Sequence, residues 1–473
     1  MLMKKKKGTK RQLKAQPQTV QKQNVQKQTA QKQAAQKKKA PKKEKKSLRE
    51  RLFPRREPAD PVILVCSVIL LALGVAMAGS LSNNAAFASY QASVMKLVSQ
   101  MLFMVMFLVV YLFVDKFFTF KFMKIFGIPL LAVYFILMGL VPAIGRGEYG
   151  AKSWIPIGSF TLQPSELFKP LIIALCAWMV HTYAKNRKLT APGWKNALRI
   201  TWMPLLSLIG TIILLIVQKD FGTMVIIVGI AVVCFLIPSI PCLKPWQTFT
   251  KWAVGLVIIF SAFFFFITDI GTNLLGSIDW TDHITIRIEN TKNPYKDVMG
   301  DGFQIGNGLY AIADGGFTGN GYGNSERKYG FLTQAESDFI LSIVVEELGL
   351  FGLLTVTVCT LLLGWRLFGF AIRARDQGDK VILGGAAAHF LMHFIVNVGG
   401  VGGLIPLTGV PLLLVSAGGS SILASAISLG MAQSAIRRIR EQAKKEKAQS
   451  AVQEEQREEA LPVSQPLLKG AAS

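Results

Sequence analysis

Ten stretches of this sequence are apolar for about the twenty residues an α-helix needs to cross a hydrocarbon core, and that leaves few folds open. They lie near 62–79, 94–114, 124–143, 165–184, 200–217, 221–239, 252–269, 339–364, 383–404 and 410–434. In lipid every backbone N–H and C=O must be paired within the protein, so segments of this kind span as helices. The expected fold is all-α: a polytopic membrane protein with about ten transmembrane helices. Composition agrees, since 51% of the 473 residues are hydrophobic and only 17% charged, which excludes an ordinary soluble enzyme.

A net charge of +25 would suggest a nucleic-acid binder if it were spread over the chain. Instead, residues 1–56 carry 21 Lys and Arg against Glu44 and Glu50, so most of the excess belongs to one tail. That tail repeats Gln-Lys-Gln and has almost no large apolar residues, so it is expected to be disordered. Its two readings are attraction to anionic membrane lipids and a solvated tail that only fixes topology; nucleic acid is not an expected partner. It lacks the short apolar core and cleavage site of a signal peptide. From about 441 the chain is again charged and Gln-rich, and 441–473 is read as a second disordered tail.

An even number of spans puts both termini on one side. Lys and Arg cluster in the N-terminal tail and near 116–124, 185–199, 244–251, 366–380 and 437–440, alternating with poorly charged connections, so that side is expected to be cytoplasmic. The membrane domain then covers 57–440, with a large extracellular loop, 270–337, between helices 7 and 8. A connection that long is expected to carry function. Five cysteines (Cys66, Cys176, Cys234, Cys242, Cys359) are scattered through apolar runs, which points to packing rather than disulfides or a metal site.

Ionisable groups inside spans are costly, so each is a candidate functional residue. Glu166 and Lys169, three apart after Pro164, share one helix face and could form a self-neutralising pair or line a polar cavity. Asp220, in Gln218-Lys219-Asp220-Phe221-Gly222-Thr223, sits between two spans where it could cap a helix, line a cavity, or both. The outer loop is glycine-dense over Gly300 to Gln304 and Gly315 to Ser325, and ends at Glu336-Ser337-Asp338. Glycines allow backbone to approach a ligand, and equally make a flexible linker. Asp338, at the entry to a span with Glu346 and Glu347 two turns deeper, could serve as a general base or as an N-cap. Small residues crowd Asn397 to Pro411 and Ser416 to Ser421, fitting close helix packing or a broken helix. His393 is read as a satisfied interior residue.

Together these stretches, in order over about 60–440, resemble the SEDS family (shape, elongation, division and sporulation), the FtsW, RodA and SpoVE group. Gln163-Pro164-Ser165-Glu166 with Lys169 is similar to its QPSE-x-x-K, Gly300 to Gln304 to its G-x-GFQ, and Gly315 to Ser325 to its glycine-rich GGLFGKGLGNS. Pro406 to Pro411 with Ser416 to Ser421 is similar to PxTGIPLPFxSYGGSS. The chain departs from the pattern at Glu336-Ser337 in place of His/Gln-Thr, Lys219 for Pro, Ala417 for Tyr, and Lys152-Ser153 before Trp154. Gly323-Asn324-Ser325 with Lys328 leans toward the division and sporulation members.

The resemblance implies a ten-helix enzyme of the bacterial plasma membrane that polymerises lipid II into glycan strands, with Asp338 as the catalytic residue. Substrate-binding positions would be Glu166, Lys169, Lys152, Asp220, Arg287, Gln304, Ser416 and Ser420. Among these the basic Lys152, Lys169 and Arg287 could balance a departing pyrophosphate. The implied partner is a class B penicillin-binding transpeptidase. No cofactor is expected; no ligand cluster is evident, and whether a divalent cation assists is left open. Two other functions stay open: lipid II transport, and a catalytically weak scaffold for a transpeptidase. An assay for glycan polymer separates them from the enzyme.

Overall fold

The computed structural model describes residues 57–82, 90–148, 151–157, 160–186, 190–264, 268, 271, 282–295, 301–332 and 334–460. The basic tail, 1–56, and residues 461–473 lie outside them.

Helices form where the apolar stretches stood. They are α1 (Pro61–Ser82), α2 (Tyr90–Phe117), α3 (Phe120–Ile144), α4 (Pro164–Ala184), α5 (Trp194–Val217), α6 (Phe221–Leu236) and α7 (Lys244–Ala262). Two more, α8 (Asp282–Lys292) and α9 (Asp301–Gly315), lie within the long connection, followed by α10 (Ile340–Arg373), α11 (Gln377–Val401) and α12 (Gly419–Ala460). The local sequence sets the starts. Thr119 caps α3 through the Phe122 N–H, Asp376 caps α11 through the Gly378 N–H, and Pro164 opens α4.

Eight of these helices are long and apolar enough to cross a membrane. The two remaining helices of the expected ten are α6, whose 16 residues give about 24 Å, and α7, which begins with the polar turn Lys244-Pro245-Trp246-Gln247.

Three findings correct the sequence reading. The last span starts at Gly419 rather than near 410, because residues 402–418 run as irregular chain. The region from 441, expected to be disordered, continues α12 to Ala460; Ala, Glu, Lys, Gln and Arg dominate it, and all are strong helix formers. The connection before α4 holds a small antiparallel sheet, β1 (Arg146–Glu148), β2 (Ala151–Ile157) and β3 (Phe160–Leu162), pairing Arg146 with Trp154 and Ile155 with Leu162.

The helices differ in how deeply they are enclosed. In their most apolar windows α11 and α12 are 78% and 83% buried and α4 56%, whereas α2 and α3 are only 17% and 22% buried. Thus α4, α11 and α12 form the interior, and α2 and α3 face outward with rows such as Leu102, Val105, Val109 and Leu112. At the end of α10 that carries Arg366, the bundle is tied by buried acids: Asp60 with Arg366 and Arg440, Asp115 with Arg437, and Asp379 with Arg438. The opposite end of α10 carries Asp338.

α10 itself is interrupted at Gly349 (φ 61°, ψ −148°). The glycine-rich segment docks into the gap: Asn320 and Gly321 donate backbone N–H groups to the Glu346 and Glu347 carbonyls, and Leu350 N–H reaches Phe317 O.

Candidate functional site

The irregular segment that follows α11 organises the site. Its Gly403 and Gly409 take left-handed conformations (φ 69° and 71°), and with Pro406 and Pro411 they prevent helix continuing through it. Five consecutive residues then meet five different partners. Leu407 O accepts from Arg287 Nη1 on α8 (3.0 Å), and Thr408 O lies so near Gly222 of α6 that a Cβ there would be 2.2 Å away. Gly409 packs against Asp338, where an added Cβ would stand 3.3 Å from Oδ2. Val410 O accepts from Asn397 Nδ2 (2.9 Å), and Pro411 O from His393 Nδ1 (3.1 Å).

Asn397 spends its second amide hydrogen on Asp338 O (2.8 Å), so one side chain of α11 holds both the segment and the turn bearing Asp338. Asp338 is half-buried and the adjacent Gly409 is exposed, so this locus lies at the surface of the bundle. The N-cap position of α10 belongs to Phe339, which makes no side-chain cap bond; the capping role considered for Asp338 is therefore not at that position.

Behind the segment lies a sealed polar cluster. Lys169 Nζ stands 2.5 Å from Glu166 Oε1 and 2.9 Å from His393 Nε2. Because a carbonyl can only accept, His393 Nδ1 carries the proton toward Pro411 O and Nε2 turns its lone pair to the ammonium. Glu166 and Lys169 are 2% and 1% exposed, so the self-neutralising pair is the form seen, and Lys169 does not reach a surface where a pyrophosphate could meet it.

Donor atoms of Glu166, His389 and His393 lie within 4.8 Å of one another, a set of metal-ligand types. The group fits an ammonium rather than a divalent ion: Lys169 already supplies the positive charge between Glu166 and His393, and a dication would add uncompensated charge in a dry interior. Among the described residues Glu166 Oε2 and His389 Nε2 make no hydrogen bond.

Of the two readings of Asp220, the cap is the one seen. Asp220 caps α6 through the Thr223 N–H (3.1 Å) and accepts from Gln163 Nε2 (3.0 Å). Gln163 N–H in turn donates to Ser420 Oγ (2.9 Å), so the start of α4, the start of α6 and the start of α12 are joined. Lys219 adopts φ 58°, a conformation closed to the proline that the resemblance sets there.

Other expected site residues are more dispersed. Lys152 is exposed on β2 opposite Gly147, Gln304 is half-buried on α9, and Ser416 is buried with an Oγ that makes no hydrogen bond among the described residues. Glu346 and Glu347 are not free acids beside Asp338. Glu346 accepts from Ser325 Oγ and the Glu326 N–H, while Glu347 accepts from Ser80 Oγ, Lys328 Nζ and the Gly323 N–H.

Sequence reasoning missed the bridging roles of His393, Asn397 and Lys328. A usable signal existed for two of them: His389, His393 and Asn397 recur every four residues on one face of the most enclosed stretch of α11.

A helical bundle with a neutralised ion cluster inside and a half-buried carboxylate beside an irregular segment at one end defines a multi-pass membrane protein built around a polar site. The chain belongs to the FtsW/RodA/SpoVE family, described as cell cycle proteins, whose model matches residues 61–441. It is 28% identical over 381 residues to stage V sporulation protein E of Bacillus subtilis, covering 80% of this chain and 96% of that one. It is 34% identical over 291 residues to a probable peptidoglycan glycosyltransferase FtsW of Lactococcus lactis, covering 60% of this chain and 67% of that one. The fold is similar to that of the rod shape determining protein RodA of Thermus thermophilus (TM-score 0.51, 21% identity, 80% of this chain and 97% of that one). It is also similar to a chain solved in a study of polymerisation and crosslinking by a peptidoglycan synthase complex (TM-score 0.59, 22% identity, 80% and 98%).

Proposed function

We propose that this protein is a peptidoglycan glycosyltransferase that polymerises lipid II. Family membership and relatives named as probable peptidoglycan glycosyltransferases support the reaction class. The observation that carries the choice of residue is Asp338: a half-buried carboxylate on a solvent-reachable rim, held through its backbone by Asn397 and through its side chain against Gly409.

In the reaction, the hydroxyl of one lipid-linked disaccharide attacks the anomeric carbon of a second. The new glycosidic C–O bond forms as the bond to undecaprenyl pyrophosphate breaks, with inversion. Asp338 takes the hydroxyl proton as general base. Arg287, exposed 3.0 Å from Leu407 O, and Lys152 on β2 supply positive charge for the leaving pyrophosphate. Gln304, Asp220, Ser416 and Ser420 shape the walls; Glu166 and Lys169 act from within, as a charge pair on α4 that reaches α11 through the Lys169 bond to His393.

The protein works in the bacterial plasma membrane with both termini cytoplasmic, its basic tail drawn to anionic lipids. Its partner is a class B penicillin-binding transpeptidase; a structural relative comes from a study of a complex that coordinates polymerisation and crosslinking. The test is purified protein, with and without such a partner, incubated with labelled lipid II. Glycan polymer is expected. Movement of lipid II between leaflets without polymer would overturn the enzyme in favour of transport.

A further inference from the structure

We propose that His393 is a positioning residue, which couples the buried Glu166–Lys169 pair to the segment bearing Gly409 and thereby sets the place of Asp338; this rests on the glycosyltransferase function proposed above.

The chain of contacts is continuous. Glu166 Oε1 accepts from Lys169 Nζ at 2.5 Å, Lys169 Nζ donates to His393 Nε2 at 2.9 Å, and His393 Nδ1 donates to Pro411 O at 3.1 Å. Two residues nearer the surface, Gly409 packs on the Asp338 carboxylate; one residue nearer, Val410 O shares Asn397 with Asp338 O. His393 and Asn397 sit one helical turn apart on α11, so the two side chains grip adjacent carbonyls of the same segment.

The chemistry explains why an imidazole suits this place. A buried backbone carbonyl needs a donor, and a buried ammonium bonded to one carboxylate oxygen needs further acceptors. A neutral His offers both, on opposite edges of a rigid ring. Neither requirement concerns substrate, since His393 is fully enclosed. Its effect on the reaction passes through the segment: if Pro411 O loses its donor, residues 407–411 are held at one fewer point and the backbone at Gly409, which lies beside the Asp338 carboxylate, can shift. Gln can keep one acceptor and one donor, whereas Leu keeps the bulk and loses both.

The experiment compares His393→Leu and His393→Gln in the full-length protein, by amide hydrogen exchange of residues 405–413 and by kcat and KM for labelled lipid II. His393→Leu is expected to raise exchange across 405–413 and to lower kcat at least tenfold with KM changed less than threefold. His393→Gln is expected to stay within threefold of the parent in kcat, with exchange unchanged. Unchanged exchange in folded His393→Leu overturns the coupling, as does equal loss in both variants. If His393→Leu yields no folded protein, His393→Gln decides: parental exchange and turnover uphold the proposal, and loosened exchange or lost turnover overturns it. Exchange is read without substrate, so a parent protein that makes no polymer refutes the glycosyltransferase function while the coupling is still judged.

Discussion

Lys328 and Glu347 form an ion pair, Nζ to Oε1 3.1 Å, with neither side chain exposed to solvent. Lys328 Nζ also donates to Gly323 O and Ser80 Oγ, and Glu347 accepts the Gly323 N–H, so the pair closes the glycine-rich segment onto α10 and α1. Removing one partner leaves a buried charge uncompensated. Lys328→Met and Glu347→Gln are each expected to cost about 3–5 kcal/mol, and the double variant clearly less than their sum. Unfolding midpoints in detergent measure this; strict additivity would show that the two charges do not support each other.

Gly349 breaks α10 with φ 61°, and a Cβ there would stand 2.4 Å from Gly319 N. Gly349→Ala combines a strained backbone with a clash against main chain that cannot swing away. Destabilisation of at least about 1–3 kcal/mol is expected from the conformation alone. Protease sensitivity of the 315–325 region should rise in step, and an unchanged digestion pattern would argue that the break and the docked segment are independent.

Asp338→Asn keeps size and leaves the Asn397 bond to the Asp338 carbonyl untouched, because that bond uses backbone. Polymerisation should fall about 10²–10⁴-fold, the usual share of general base catalysis, with the unfolding midpoint nearly unchanged. Activity close to the parent at matched expression would take Asp338 out of the chemistry.

Asp376 caps α11 and receives His181 Nδ1 at 2.9 Å. Burial pushes its carboxyl up, but the His181 hydrogen bond and charge, the Gly378 N–H and Lys185 outweigh this and hold it below its ordinary value. A carboxyl depressed on folding adds stability that is full above its unfolded value, about 3.9, and is lost as pH falls through the lower folded value. Asp376→Asn still caps, so it should flatten this acid limb of the stability profile by about 1 kcal/mol or less while leaving neutral-pH helicity intact. The unfolding midpoint followed from pH 7 downward checks the slope; identical acid limbs in both proteins would refute the assignment.

Much of the bundle was legible because spanning helices announce themselves by length and apolarity, without any need to know their neighbours. The tenth stretch misled at its start for the same reason. Val410-Pro411-Leu412-Leu413-Leu414-Val415 is apolar enough to span, yet the prolines and glycines around it hold it irregular, and its first two carbonyls are met by side chains of α11. Glu166 and Lys169 were visible as neighbours because they are three apart on one helix. The third member, His393, is 224 positions from Lys169, and only the packing of α4 on α11 brings them together. Glu346 and Glu347 show the converse: their position beside Asp338 in sequence suggested chemistry, whereas the structure turns both into anchors for backbone N–H groups.

The segment 407–411 meets its partners chiefly through backbone, with one contact for each successive residue. What such a stretch must conserve is its count rather than its letters. Exchanging Leu407 for another apolar residue leaves the carbonyl at Arg287 in place, but inserting or deleting a single residue shifts every later position by about 3.3 Å of extended chain and misaligns Asp338, Asn397 and His393 together. Variation in this region should therefore accumulate as substitutions at constant length, with insertions and deletions confined to the loops on either side.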